Sequence, residues 1–200
     1  MRVIGLTGGI ASGKSLVSEQ LAEQGAVLID ADKVGHSAYL KGTTTFDEVV
    51  AAFGEEIVGA DGEVDRKALG GKVFADPEAR RKLESIVWPA IRSMVEEQLE
   101  ALRAKGTGVA ILEAAILIEA EWVPLTDEVW LVTVSPETAR QRLFERNGLS
   151  AEDAESRIRA QLTNEKRREY ADVEIENDGT LEELNAAVDD AWESLAARIG

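Results

Sequence analysis

Residues 8–15 read Gly-Gly-Ile-Ala-Ser-Gly-Lys-Ser and follow directly on the apolar run Val3-Ile4-Gly5-Leu6-Thr7. An apolar strand that ends in Gly-x-x-x-x-Gly-Lys-Ser and opens into a helix commits the chain to a phosphate loop, because the backbone there must wrap an anion. The glycines allow positive φ, so successive N–H groups can turn inward onto phosphate oxygens. Lys14 is placed to reach the β- and γ-phosphates of a nucleoside triphosphate and the Ser15 hydroxyl to hold Mg²⁺, while the helix starting near Gly13 offers its positive end. Leu16, Val17, Gln20 and Leu21 then recur at helical spacing, which sets the loop between a strand and an amphipathic helix rather than in a ligand-free turn.

Beyond the loop, short apolar runs alternate with helical patterns, the signature of an α/β fold with a parallel sheet covered by helices on both faces. Five strands are predicted, at 2–7, 26–30, 109–113, 128–134 and 172–175. After Asp32 the pattern is helical for some seventy residues, at 33–40, 44–53, 66–74 and from Pro77 to about Ala104, so this block reads as an insertion between the second and third strands. Pro89 lies inside the long pattern and is expected to kink or divide it. Residues 54–65, with Gly59-Ala60-Asp61-Gly62, read as a turn or short hairpin. The last helix, 180–198, sets Leu181, Leu184, Val188, Trp192 and Leu195 at core spacing.

Composition narrows the function classes. The chain has 200 residues and no cysteine, so it carries neither a disulfide framework nor thiolate metal ligands. No apolar run is long enough for a membrane span and the N-terminus enters a strand at once, which points to a cytoplasmic location. A net charge of −16 argues against general nucleic-acid binding, since approach to a polyanion costs repulsion. An anionic substrate must then meet local cations. Arg140, Arg142, Arg146, Arg157, Arg159, Lys166, Arg167 and Arg168 cluster between Pro136 and Tyr170, although any one of them can equally serve a solvated, salt-bridged helix face.

Asp30-Ala31-Asp32 closes the second predicted strand, on the sheet edge where α/β folds bind ligands. Strand alternation sends both carboxylates to one side. One could contact Mg²⁺ or its waters and the other accept a proton from an acceptor hydroxyl; the alternative for Asp32 is a helix N-cap. Glu113 ends the third strand, where phosphate-loop enzymes commonly place an acid near the metal; the alternative is a simple strand-end carboxylate. His36, the only histidine, lies one turn beyond Asp32, placed either for substrate contact or as an ordinary surface histidine.

These features together resemble the dephospho-coenzyme A kinases over nearly the whole chain. Gly5–Ser15 is similar to that family's phosphate loop and Ile29-Asp30-Ala31-Asp32-Lys33 to its second-strand signature. Asp65-Arg66-Lys67-Ala68-Leu69 with Val73-Phe74, and Leu83 through Ile91, resemble its helical substrate domain. Val134-Ser135-Pro136-Glu137-Thr138, then Arg142, Arg146, Arg157-Ile158 and Gln161, resemble its lid, and Asn177-Asp178-Gly179 its adenine-side loop.

The resemblance implies a P-loop kinase with a five-stranded parallel sheet. Its nucleotide core would comprise 1–32, 106–135 and 170–200, with a helical substrate insertion at 33–105 and a lid at 136–169. It implies ATP-dependent phosphorylation of the ribose 3′-hydroxyl of dephospho-coenzyme A by a monomer, with no nucleic-acid or membrane partner. Asp32 would be the base, and Lys14 and Arg146 would act on the transferring charge. ATP would meet Gly9, Ala11, Ser12, Gly13, Lys14, Ser15, Leu16, Arg142 and Asn177, and Mg²⁺ would meet Ser15 and Glu113. The acceptor would meet Asp32, His36, Trp88 and Ile91.

Three positions depart from the family pattern: Trp88 stands where bacterial members usually have histidine, Ala115 where proline is usual, and Leu16 where threonine is usual. The first two changes look like the kinase half of animal coenzyme A synthases. A nucleoside or nucleotide kinase would share the loop, the strand-end aspartate and the arginine lid. A GTP-binding switch protein would need an Asp-x-x-Gly after the third strand and an Asn-Lys-x-Asp, which the sequence lacks.

Overall fold

Strands β1 (Arg2–Gly8), β2 (Val27–Asp30), β3 (Val109–Glu113), β4 (Glu128–Thr133) and β5 (Val173–Glu176) form one sheet in the order β2-β3-β1-β4-β5. The β1–β3, β1–β4 and β4–β5 pairs are all parallel. The helices of this computed structural model, which describes residues 1–74 and 76–199, are α1 (Lys14–Glu23), α2 (Ala31–Ala38), α3 (Thr44–Phe53), α4 (Arg66–Phe74), α5 (Pro77–Ala104), α6 (Pro136–Asn147), α7 (Ala151–Arg159), α8 (Asn164–Arg168) and α9 (Leu181–Ile199). None is long and apolar enough to cross a membrane.

Met1–Ile29 with Leu102–Gly200 make one compact unit. Its central strand is buried on both faces, which is why Val3 to Thr7 read as an unbroken run instead of alternating. On one face Ile4 and Leu6 share a core with Val17 and Leu21 of α1 and with Leu184, Val188 and Leu195 of α9. On the other, a Cβ at Gly5 would sit 2.7 Å from Leu117 and 2.8 Å from Thr126, so only glycine lets the segment after β3 lie against the strand. The chain leaves β1 toward β2 and leaves β4 toward β5 on the opposite side. The strand order therefore reverses beside β1, at the edge where open α/β sheets hold ligands.

Asp30–Ala101 make the second unit. A Cβ on Gly35 of α2 would lie 3.1 Å from Ile91 of α5, and that bare glycine is what admits the isoleucine. Residues 58–64 form the expected short hairpin, bridged antiparallel at Val58 and Val64 and turned at Gly62 with φ +81°.

Four expectations are corrected. The helix after β2 starts at Ala31, not 33, because no loop separates it from the strand. α5 is not divided at Pro89 but runs on as one helix; both Pro89 and Ser85, whose carbonyl would take its amide partner from four residues later, are exposed, so solvent can serve that carbonyl. Leu181 is 59% exposed and Leu16 49% exposed. In α1 the buried residues are Val17, Ser18 and Leu21, so the polar Ser18 takes an inward position that the apolar pattern gave to Leu16.

Candidate active site

The phosphate loop joins β1 to α1 and its shape follows from three positions. A Cβ at Gly8 would strike the Val132 carbonyl and approach the Ser12 hydroxyl at 2.7 Å, so the loop leaves the sheet flush against β4. Ala11 and Gly13 have φ of +60° and +90°, the left-handed turns that point backbone N–H groups into a concavity. At Gly13 the space a side chain would need is filled by the Asn177 amide. No side chain caps α1, and no acid stands in its first turn. With no acidic side chain at this end, the positive pole of the helix is offered to an anion.

Lys14 opens α1 and its ammonium folds back to donate to the Gly8 carbonyl at 3.1 Å. Ser15, the next residue, donates to Glu113 Oε1 at 3.3 Å, and Ser18 one turn on donates to Glu113 Oε2 at 2.7 Å. Register explains the meeting. Glu113 ends β3 opposite Leu6 of β1, two residues below the loop, so its carboxylate rises beside the start of α1. A serine hydroxyl and a carboxylate form an oxygen pair suited to a hard divalent cation. Sequence reasoning paired Ser15 with Glu113 but missed Ser18, which fixes the second carboxylate oxygen.

The loop is held from outside by residues far along the chain. Asn177, 4% exposed, follows β5 and donates through Nδ2 to the Ser12 carbonyl at 2.7 Å. Arg142 of α6 donates to the Ala11 carbonyl at 3.2 Å and to the Asn177 carbonyl at 2.8 Å. Gln161, between α7 and α8, accepts from Ile10 N–H at 2.7 Å. Arg167 of α8 is 1% exposed; it donates to the Leu162 carbonyl and pairs with Glu119 at 3.5 Å. Burial lowers its pKa from the usual value, with Glu119 opposing the shift, and a guanidinium stays charged regardless. The sequence gives Arg167 no mark distinguishing it from its neighbours in the basic run. By contrast Arg146 is exposed and donates to its neighbour Asn147 at 3.2 Å. A cleft of about 320 Å³ opens beside Gly9 and Ile10, bounded by Val134, Ala139, Ile158 and Arg167.

In the second unit, the N-cap of α2 is Asp30, not Asp32: Asp30 Oδ1 accepts from Lys33 N–H at 3.0 Å and Oδ2 lies 3.1 Å from the Lys33 ammonium. Burial works against ionisation of Asp30, but the Lys33 amide and ammonium and the Asp32 amide outweigh it and hold its carboxyl below the usual range. Asp32 is the second residue of α2 and exposed. Strand alternation therefore does not relate the two acids. His36, also exposed, contributes its carbonyl to a 3.5 Å bond from Arg66. On α5 Trp88 is half-buried, whereas Ile91 is 6% exposed and packed over Gly35.

The family model described as dephospho-CoA kinase matches residues 2–183. A dephospho-CoA kinase of Geobacter sulfurreducens is 49% identical over 192 residues, spanning 96% of this chain and 98% of that protein. Among solved structures, a Thermus thermophilus protein superposes with a TM-score of 0.81 at 34% identity, covering 100% of this chain and 98% of the other. The dephospho-CoA kinase of Campylobacter jejuni superposes with a TM-score of 0.74 at 25% identity, covering 98% of each chain.

Proposed function

The chain belongs to the dephospho-CoA kinase family, and from that premise we propose that it transfers the γ-phosphoryl group of ATP to the ribose 3′-hydroxyl of dephospho-coenzyme A, giving coenzyme A and ADP. The observation that carries this reading is the uncapped, glycine-turned loop with Lys14 at its end and the Ser15–Glu113 pair beside it. Loop N–H groups and Lys14 hold the β- and γ-phosphates and draw off charge as it builds on them. Ser15 and Glu113 fit Mg²⁺, directly or through its waters; when bound, the ion neutralises charge on the phosphate oxygens.

Asp32 is the proton acceptor in this scheme. Asp30 is committed to the cap and to Lys33, which leaves Asp32 as the exposed carboxylate next to the end of β2. It takes the 3′-hydroxyl proton as that oxygen bonds to the γ-phosphorus and the bridging oxygen leaves with ADP. Arg142 and Asn177 neighbour the adenine, Arg146 acts on charge during transfer, and residues 136–169 close over ATP to exclude water. His36, Trp88 and Ile91 belong to the acceptor side, within the helical segment 33–105. In this reading the active species is a monomer in the cytoplasm, with neither nucleic acid nor membrane as a partner.

The test is to supply ATP, Mg²⁺ and dephospho-coenzyme A and to locate the new phosphate by phosphorus NMR. A monoester on the ribose 3′-oxygen is expected. A phosphate elsewhere, or ADP release without a phosphorylated acceptor, refutes the reading.

A further inference from the structure

Arg167 is a guanidinium taken out of water at a site that the reaction scheme above does not use. It is 1% exposed, its Nε is buried without a hydrogen-bond partner, and its carboxylate neighbour Glu119 stands 3.5 Å away with its second oxygen equally unpartnered. A buried cation so loosely neutralised is costly unless its surroundings fix it for another purpose. Those surroundings are the phosphate loop. A Cβ built on Gly9 would lie 3.8 Å from Arg167 Nη1 and 3.7 Å from Gln161 Oε1. Arg167 donates to the carbonyl of Leu162, the residue after Gln161, and Gln161 in turn accepts from Ile10 N–H at 2.7 Å.

We propose that Arg167 is a positioning residue for phosphoryl transfer, acting through Leu162 and Gln161 to hold Gly9 and Ile10 in their phosphate-binding shape. The inference rests on the kinase reading for its activity arm, but its binding arm needs only ATP. Arg167 touches no loop atom by a hydrogen bond of its own, so its effect must pass through Gln161. Lysine would keep the charge yet lose the planar fork that reaches the Leu162 carbonyl and Glu119 together.

The experiment is a double-mutant cycle of Arg167→Lys and Gln161→Ala, read by calorimetric ATP affinity, by kcat and KM with dephospho-coenzyme A, and by Tm. Residues in one hydrogen-bonded relay couple, so each single variant should lose about 10-fold in ATP affinity and about 10-fold or more in kcat, and the double variant should lose no more than the worse single. KM for dephospho-coenzyme A should stay within about 3-fold, because the acceptor is not what the relay orders. Multiplicative losses in the double variant overturn the relay. So does a lowered Tm with ATP affinity and kcat intact, which is what mere scaffolding gives. Arg167→Met, with an apolar side chain of similar length, keeps the test valid where lysine fails to fold: its ATP affinity should fall as far as that of Gln161→Ala, and wild-type affinity refutes the proposal. A wild-type enzyme that binds ATP but leaves dephospho-coenzyme A untouched sinks the kinase reading alone, since ATP affinity still decides the relay.

Discussion

Exchanging the two carboxylates that flank Ala31 separates a structural acid from a chemical one. Asp30→Ala removes the Oδ1 acceptor that Lys33 N–H meets at 3.0 Å, and loss of an aspartate N-cap costs about 1 kcal/mol. The 3.1 Å pair with Lys33 adds little, because the lysine side chain is 81% exposed and solvent screens it. A loss of about 1 kcal/mol lowers Tm by roughly 2–4 °C in a chain of this size. Asp32→Asn leaves the cap intact, so stability should change by less than about 0.5 kcal/mol, while turnover should fall by roughly 10²–10⁴ with removal of the proton acceptor.

Acid adds a second arm to that experiment. The Asp30 carboxyl is held below its ordinary pKa of 3.8, so its stabilisation is complete above that value and is lost as pH falls through the lower folded one. The Tm gap between wild type and Asp30→Ala should therefore be constant at neutral pH and close only in strong acid. Calorimetric Tm and a coupled ADP assay on the same preparations give both readouts. Full turnover in Asp32→Asn, or an Asp30→Ala variant with wild-type Tm and no turnover, refutes the division of labour.

Four further substitutions probe the loop and the two α6 arginines. Lys14→Ala should abolish most turnover in a protein that still folds, since the transferring group loses its positioned cation; near-wild-type kcat in the steady-state assay rejects that role. Gly13→Ala should cost about 1–2 kcal/mol for a left-handed φ alone, with a further penalty for displacing the Asn177 amide, and calorimetry should show weakened ATP binding. Arg142→Ala should weaken ATP binding by about 1–2 kcal/mol if a desolvated cation–π contact is lost, whereas Arg146→Ala should act chiefly on kcat. The reverse order in nucleotide titrations would exchange their assignments.

The parts of the fold that could be read from sequence are those fixed by local chemistry. β3 occupies its predicted span because Val109 to Leu112 are apolar and Glu113 stops the run, and α3 occupies its own because Thr43 caps it and Gly54 ends it. Ser15 and Glu113 could be paired because one is dictated by the loop motif and the other by the end of a strand. What escaped depends on distant contacts. Asp30 and Asp32 look equivalent in sequence until the strand passes into helix without a loop, which gives the cap to the first. Arg167 sits among Lys166 and Arg168 with no local signature, and the neighbours it meets when buried include Gly9 and Glu119, far away in sequence. Leu16 and Ser18 exchange their expected faces because a serine is needed inward to meet Glu113.

The bond from Asn177 to Ser12 also bears on the order in which a newly made chain acquires its parts. Synthesis runs from the N-terminus, so the glycine-rich segment emerges well before Asn177. The amide that fills the space over Gly13 comes 165 residues after Ser12. The central strand must likewise wait for β3 and β4 to flank it. A nascent chain halted before Asn177 thus contains every residue of the phosphate motif and lacks the wedge that shapes it. Nucleotide capture becomes a property of a polypeptide made at least as far as Asn177.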